Sequence, residues 1–193
     1  MNNKLDERLD QLRKAEQRLD NMNRISTPKI QRLPVMLRHN DRFVKYCTPK
    51  MISFGPIHHG SEILKKGEHY KLVWTSKFVA KYNENQDSNE ATQILLEKIK
   101  KSMKELKEFD DDVILKVKND EDYLAWMLFV DGCSLLHFME NVDDKCPETL
   151  NLKFDQLLYI WKDTLLLENQ LPRRLLEMLS KNDQVGIFIF QSS

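Results

Sequence analysis

The stretch DYLAWMLFVDGCSLLHFME, residues 122–140, constrains the fold more than any other feature of this chain. Its apolar residues fall on every side of a helix, so a helix built from it must be covered over most of its surface. That makes it the expected middle of the core. Asp131 and Gly132 break the apolar run, which points to a kink or a junction between two helices. An acid buried there needs partners, because an unpaired interior charge is costly.

The flanking segments supply amphipathic elements. Leu5, Leu9, Leu12, Glu16 and Leu19 recur at alternating steps of four and three, the seam of an amphipathic helix over residues 1–27 with one polar interruption. Asp10 and Lys14 support it on the wet side, and Pro28 disfavours helical angles at Thr27 and ends it. The seam reads as a helix packed on its own domain, with a short coiled-coil docking arm as the alternative. From 28 to 60, Pro28, Pro34, Pro49 and Pro56 with Gly55 and Gly60 predict an extended, looping chain. Within it Arg38, His39, Arg42 and Lys45 mix with Phe43 and Tyr46, a blend that reads as a solvated, loop-anchoring surface ahead of a ligand groove.

Leu72, Trp74, Phe78, Val79 and Tyr82 predict a helix over 68–82, with Gly67 as an interruption before it. NENQDSNE, residues 83–90, reads as a solvated linker. Leu95, Ile99, Met103, Leu106 and Phe109 then recur at helical steps. The lysines on the other face, Lys98, Lys100, Lys101, Lys104 and Lys107, read as solvated, since Asp110, Asp111 and Asp112 follow at once and would oppose a polyanion. Phe154, Leu157, Leu158, Trp161 and Leu165 give another helical stripe, and Pro172 suits the first position of a last helix through RRLLEML. The fold class expected is mainly α: an irregular helical domain over 28–181 with an extended Pro/Gly-rich N-terminal loop region, preceded by the 1–27 helix and followed by a 182–193 tail.

A chain of 193 residues suits one domain with a genuine core. Thirty basic and thirty acidic side chains cancel, so no global field draws it to nucleic acid or an anionic bilayer. Cys47, Cys133 and Cys146 are odd in number and lack CxxC spacing, which suits free thiols in a reducing compartment and predicts a cytoplasmic protein. The first 29 residues hold no apolar signal core, and no run of 18 apolar residues suggests a membrane span.

Candidate chemistry is sparse. Cys133 and His137 stand four apart and share a helix face, the spacing of a thiolate–imidazole pair, but no third group or sequence elbow accompanies them. His58, His59, His69 and Cys47 match no closed zinc spacing. GxSxG, Walker and GxGxxG patterns are absent. The expectation is therefore no catalytic residue, no cofactor and no metal, with an enzyme using Cys133, His137, His58 and His59 as the alternative. In SFGPIHHG the glycines and Pro56 shape a bend that the histidines brace by hydrogen bonds, and Glu168, Asn169 and Gln170, set among leucines, stitch two helices together.

Four blocks in order, IQRLPVMLRHNDRFVKYCTPKMISFGPIHHG, KGEHYK, LFVDGCSLLHFME and DTLLLENQLPRRLLEML, resemble the plant family catalogued as domain of unknown function 247. The residues that carry the resemblance are Pro34, Leu37, Arg38 and Asn40; Ser53, Gly55, Pro56, His58, His59 and Gly60; Asp131, Gly132 and Cys133; and Leu167, Glu168, Asn169, Gln170, Leu171 and Pro172. The likeness runs over residues 30–180 and implies a mainly helical plant protein with no established catalytic activity. Members are linked to reproduction, through self-incompatibility and through sex determination such as suppression of female organs, and many end in a membrane-spanning helix. This chain closes with VGIFIFQSS soon after the LLLENQLP block, so it resembles a shortened member without the anchor and with helix faces left uncovered. The function expected is regulation or recognition through protein contacts, with a longer relative or a second copy as partner, including as an interfering short form. The motif residues named are expected to be structural or partner-contact positions.

Overall fold

A computed structural model describes residues 8, 10–14, 32–82, 88–106, 120–142 and 147–180. These form helices and loops, with no strand among the described residues: α1 Val35–Arg38, α2 Asp41–Cys47, α3 Lys65–Tyr82, α4 Ser88–Lys101, α5 Met103–Leu106, α6 Glu121–Asn141, α7 Phe154–Thr164 and α8 Arg173–Leu179. Short 3-10 turns at Glu62–Leu64 and Pro147–Leu150 precede α3 and α7. Of the expected 1–27 helix, residues 8 and 10–14 are described and helical, and they carry the Lys14–Asp10 pair at 2.7 Å. The rest of that segment, the 182–193 tail, Cys146, and Lys107 through Asp112 lie outside the described residues.

α6 is the axis. Asp120 starts it, its side chain accepting from the amides of Asp122 and Tyr123. From Leu124 to Phe138 every residue but Trp126 is buried. α3 lies along most of its length, while α4 and α8 pack on other sides. The helix runs unbroken through Asp131 and Gly132, where the sequence suggested a junction. Gly132 supplies room instead: a Cβ there would collide with Leu179 Cδ1 and stand 3.5 Å from Leu175, so the missing side chain lets α8 cross close.

Gly67 does the same for α3. It lies inside the helix, which starts at Lys65, and a Cβ would strike the Met51 carbonyl and come within 2.9 Å of Ile52 Cα. The sequence reading took Gly67 as a breaker because an isolated glycine costs a helix about 1 kcal/mol; close backbone approach outweighs that. A row of rings ties the layers together: Tyr70 to Trp74 at 5.8 Å, Trp74 to Phe138 at 5.5 Å, Phe138 to Trp161 at 6.4 Å.

Three further expectations are adjusted. The 28–60 region is looped from Thr48 onward but carries the short helices α1 and α2, the second capped by the Asn40 side chain on the Arg42 amide. The linker's last residues already belong to α4, and a turn at Ser102 separates α4 from α5 within the stripe of Leu95 through Leu106. Pro172 is the residue before α8, in extended geometry at φ −58°, ψ 132°.

Replacing Gly67 with Ala separates packing from propensity. Ala should stabilise an ordinary helix by about 1 kcal/mol, but here overpacking is expected to destabilise by about 1–3 kcal/mol. Gly132→Ala meets only the mobile end of Leu179 and should cost less. Urea midpoints of the two variants check the order, and a stabilised Gly67→Ala variant would contradict the packing described.

Candidate functional site

Lys50–Gly55 is an irregular segment that bends at Lys50 and Met51 and enters the interior at Ile52, with no strand beside it among the described residues. Ile52 through Gly55 are buried, so their peptide groups need partners that a sheet would otherwise supply. Side chains supply them. Asp163 of α7 accepts from the amides of Lys50, Met51 and Ile52 at 2.7–3.0 Å. Asn169 accepts from the Phe54 amide at 2.7 Å and donates to the carbonyls of Ile52 and Asp163 at 3.1 and 2.9 Å. Asp131 accepts from the Gly55 amide at 2.8 Å, and Lys71 Nζ donates to the Ser53 carbonyl at 3.0 Å.

Lys71 and Asp131 meet at 2.6 Å, both almost fully buried. Glu68, one turn before Lys71, lies 2.8 Å from the same ammonium and accepts from Ser53 Oγ at 3.2 Å. Burial works against the Lys71 charge, but the Asp131 and Glu68 carboxylates outweigh it and hold the ammonium above its ordinary value. Gly55, at φ +72°, turns the chain out of the segment, and a Cβ there would stand 2.8 Å from the Gln170 carbonyl.

Other motif residues frame this cluster. Glu168 accepts from the Leu33 amide at 2.9 Å, while Arg38 Nε donates to the Leu33 carbonyl at 2.7 Å and lies 4.0 Å from Glu168. His58 Nε2 stands 3.8 Å from the other Glu168 oxygen, and His59 Nε2 pairs with Tyr123 Oη at 2.8 Å. The two histidines thus point apart, one to the loop after α7 and one to the start of α6. Pro34 precedes α1, Pro56 is buried in the bend, Gly60 closes the turn at φ +75°, and the Gln170 side chain is exposed. The sequence expected Glu168, Asn169 and Gln170 to join two helices; Asn169 joins the buried segment to α7, and Glu168 clamps the chain entering α1.

Sequence reasoning missed Lys71 and Asp163, which do as much as any motif residue. Each sits on an apolar seam: Lys71 between Gly67 and Trp74, Asp163 one step of three beyond Ile160. That placement was the available signal.

Cys133 and His137 do share a face of α6, and both are buried. Burial pushes the Cys133 thiol far above its ordinary range, the reverse of an activated nucleophile. Burial, with Lys77 adding to it, lowers the His137 pKa. Among the described residues, no three His, Cys, Asp or Glu side chains converge to hold a metal ion, and no helix is long and apolar enough to cross a membrane.

One surface is unusual. α7 turns Leu157, Ile160 and Asp163 inward, and presents Phe154, Leu158, Trp161 and Leu165 to solvent at 65, 55, 44 and 56% exposure. The sequence read these residues as one stripe; the helix is apolar on two faces.

Two measurements test the buried cluster. Lys71→Met leaves Asp131 buried without its cation and is expected to cost about 3–5 kcal/mol, with Lys71→Met/Asp131→Asn costing less than the sum of the single changes; additive urea midpoints would contradict the pairing. His137, neutral in the fold, takes up a proton more readily unfolded, so stability should fall as pH drops below about 6.5, the unperturbed histidine value. His137→Gln should flatten that slope between pH 7.5 and 5.5 in the same assay.

No curated protein and no solved structure matches the chain. The family model DUF247, described as plant protein of unknown function, matches residues 30–190. That span takes in α1 through α8 and the four blocks that carried the resemblance, so the chain belongs to the DUF247 family of plant proteins.

Proposed function

We propose that this protein is a noncatalytic recognition module of plants, acting by holding another protein on the outer face of α7. The observation that carries the reading is the four-residue apolar stripe Phe154, Leu158, Trp161 and Leu165, exposed on a helix that Asp163 fastens to the interior. A contiguous exposed apolar row on an anchored helix is the kind of surface that protein contacts cover. The polar motif residues that could have served chemistry, Asp131, Asn169 and Glu168, are engaged in backbone hydrogen bonds. The raised Cys133 pKa weighs against a Cys133–His137 nucleophile.

The setting, self-incompatibility or sex determination in the developing flower, is taken from the family resemblance. Free thiols at Cys47 and Cys133 suit a reducing compartment, the cytoplasm.

Affinity capture from developing flowers tests the reading with two baits, the protein itself and Phe154→Glu/Leu158→Glu. Both substituted side chains are more than half exposed, so the urea midpoint should not move. The proteins held by the first bait are expected to be lost from the second. Recovery of the same proteins in the same yield on both would refute the stripe as the contact surface.

A further inference from the structure

We infer that the outer face of α7 is a self-association surface, and that its occupant is α7 of a second copy of this chain, lying antiparallel across a two-fold axis. This rests on reading the stripe as a contact surface, and it names the partner. Three observations carry it.

The first is the spacing of the stripe. Phe154, Leu158, Trp161 and Leu165 step by four, three and four, the pattern of a knobs-into-holes seam. A two-fold pair needs a patch that is its own complement. An axis passing between Leu158 and Trp161 meets that need: Leu158 faces the partner's Trp161, and Phe154 faces the partner's Leu165. Each ring thus meets a leucine in both halves of the seam.

The second is charge. Asp155 and Lys162 are exposed and stand seven apart, one beside each half of the stripe, on the side away from the buried Leu157. In the antiparallel pair Asp155 lies beside the partner's Lys162, and Lys162 beside the partner's Asp155. Symmetry therefore makes two attractive pairs from one acid and one base. A parallel pair sets Lys162 against the partner's Leu157 instead, and makes neither.

The third is that the surface continues beyond α7. Tyr46 of α2 is 64% exposed, and Lys162 Nζ stands 5.7 Å from its ring centre. The ring borders the stripe on the side where the partner's Asp155 arrives, and adds apolar area there. Even so the seam is small: one helix and one ring from each copy belong to the class of interfaces below about 1,200 Å². A weak, reversible dimer is the expected state.

Sedimentation velocity of the full chain over a wide range of concentration tests this. The expected result is a concentration-dependent shift from monomer to dimer that Phe154→Glu/Leu158→Glu abolishes. Asp155→Lys and Lys162→Asp, each alone, set like charges beside one another at both sites and are expected to weaken the dimer roughly tenfold. In an equimolar mixture of these two variants every acid again meets a base, so mixed dimers should return at the strength of the unaltered chain. Both positions are exposed, and urea midpoints check that the fold is kept. Should a reversal shift the midpoint, Asp155→Asn takes its place, with an expected weakening of about threefold. A monomer at every concentration would overturn the inference, and so would a dimer that Phe154→Glu/Leu158→Glu leaves intact. Charge variants without effect, or a mixture that restores nothing, would overturn it too. If the flower capture assay recovers proteins that need the stripe while the chain stays monomeric, the contact reading stands and only the second copy falls.

Discussion

The fold depends on satisfying one irregular segment, Lys50–Gly55, that is buried from Ile52 onward and has no sheet to belong to. Such a segment carries unpaired amides and carbonyls into the core, and each left open would cost on the order of 1–3 kcal/mol. Four side chains from four places in the sequence close that deficit: Lys71 on α3, Asp131 on α6, Asp163 on α7 and Asn169 in the loop before α8. The donors and acceptors are matched in kind. Amides meet the carboxylates of Asp131 and Asp163, a carbonyl meets the Lys71 ammonium, and the mixed group of Asn169 serves one of each. Asp131 and Lys71 also face one another at 2.6 Å; the pairing holds the Lys71 ammonium charged, while burial still pushes the Asp131 carboxyl above its ordinary value despite Lys71.

That arrangement explains the glycines as well. A segment threaded between helices must pass close to their backbones, and Gly67 and Gly55 mark where it does, against Met51, Ile52 and the Gln170 carbonyl. Helix α3 therefore carries a glycine that lowers its own propensity, and the loss is local. The gain is a short path from Lys71 to both Ser53 and Asp131. Changing the glycine moves the segment, and moving the segment unseats the ion pair.

Much of this was legible in the sequence, and the parts that were not share a physical reason. The all-round apolar pattern of 122–140 identified the central helix, and the cost of an unpaired interior charge required partners for Asp131. The partners themselves were missed, because Lys71 and Asp163 sit on apolar seams where a polar residue reads as a mere interruption. Periodicity alone does not distinguish a charge that widens the wet face from one that points inward. The supposed break at Asp131–Gly132 failed for a related reason: a glycine in a helix signals a weakness only if nothing packs against it, and Leu175 and Leu179 do. On α7, apolar steps of three and four fit either side of the helix, so periodicity does not separate Leu157 and Ile160, which face in, from Leu158 and Trp161, which face out.

The division of labour follows from where the family's recognisable residues lie. Gly55, Asp131, Gly132, Glu168 and Asn169, which carried the resemblance, build the buried segment and its clamps. They report the scaffold that this DUF247 chain folds into. The outer face of α7 takes no part in that scaffold. Asp163 fixes the helix from inside through three backbone amides, so Phe154, Leu158 and Leu165 are free to vary at little cost to the core. Trp161 is the exception, because its ring also reaches Phe138. It links the exposed stripe to the aromatic row through the core, so a change at Trp161 would reach the same packing that holds α3 to α6.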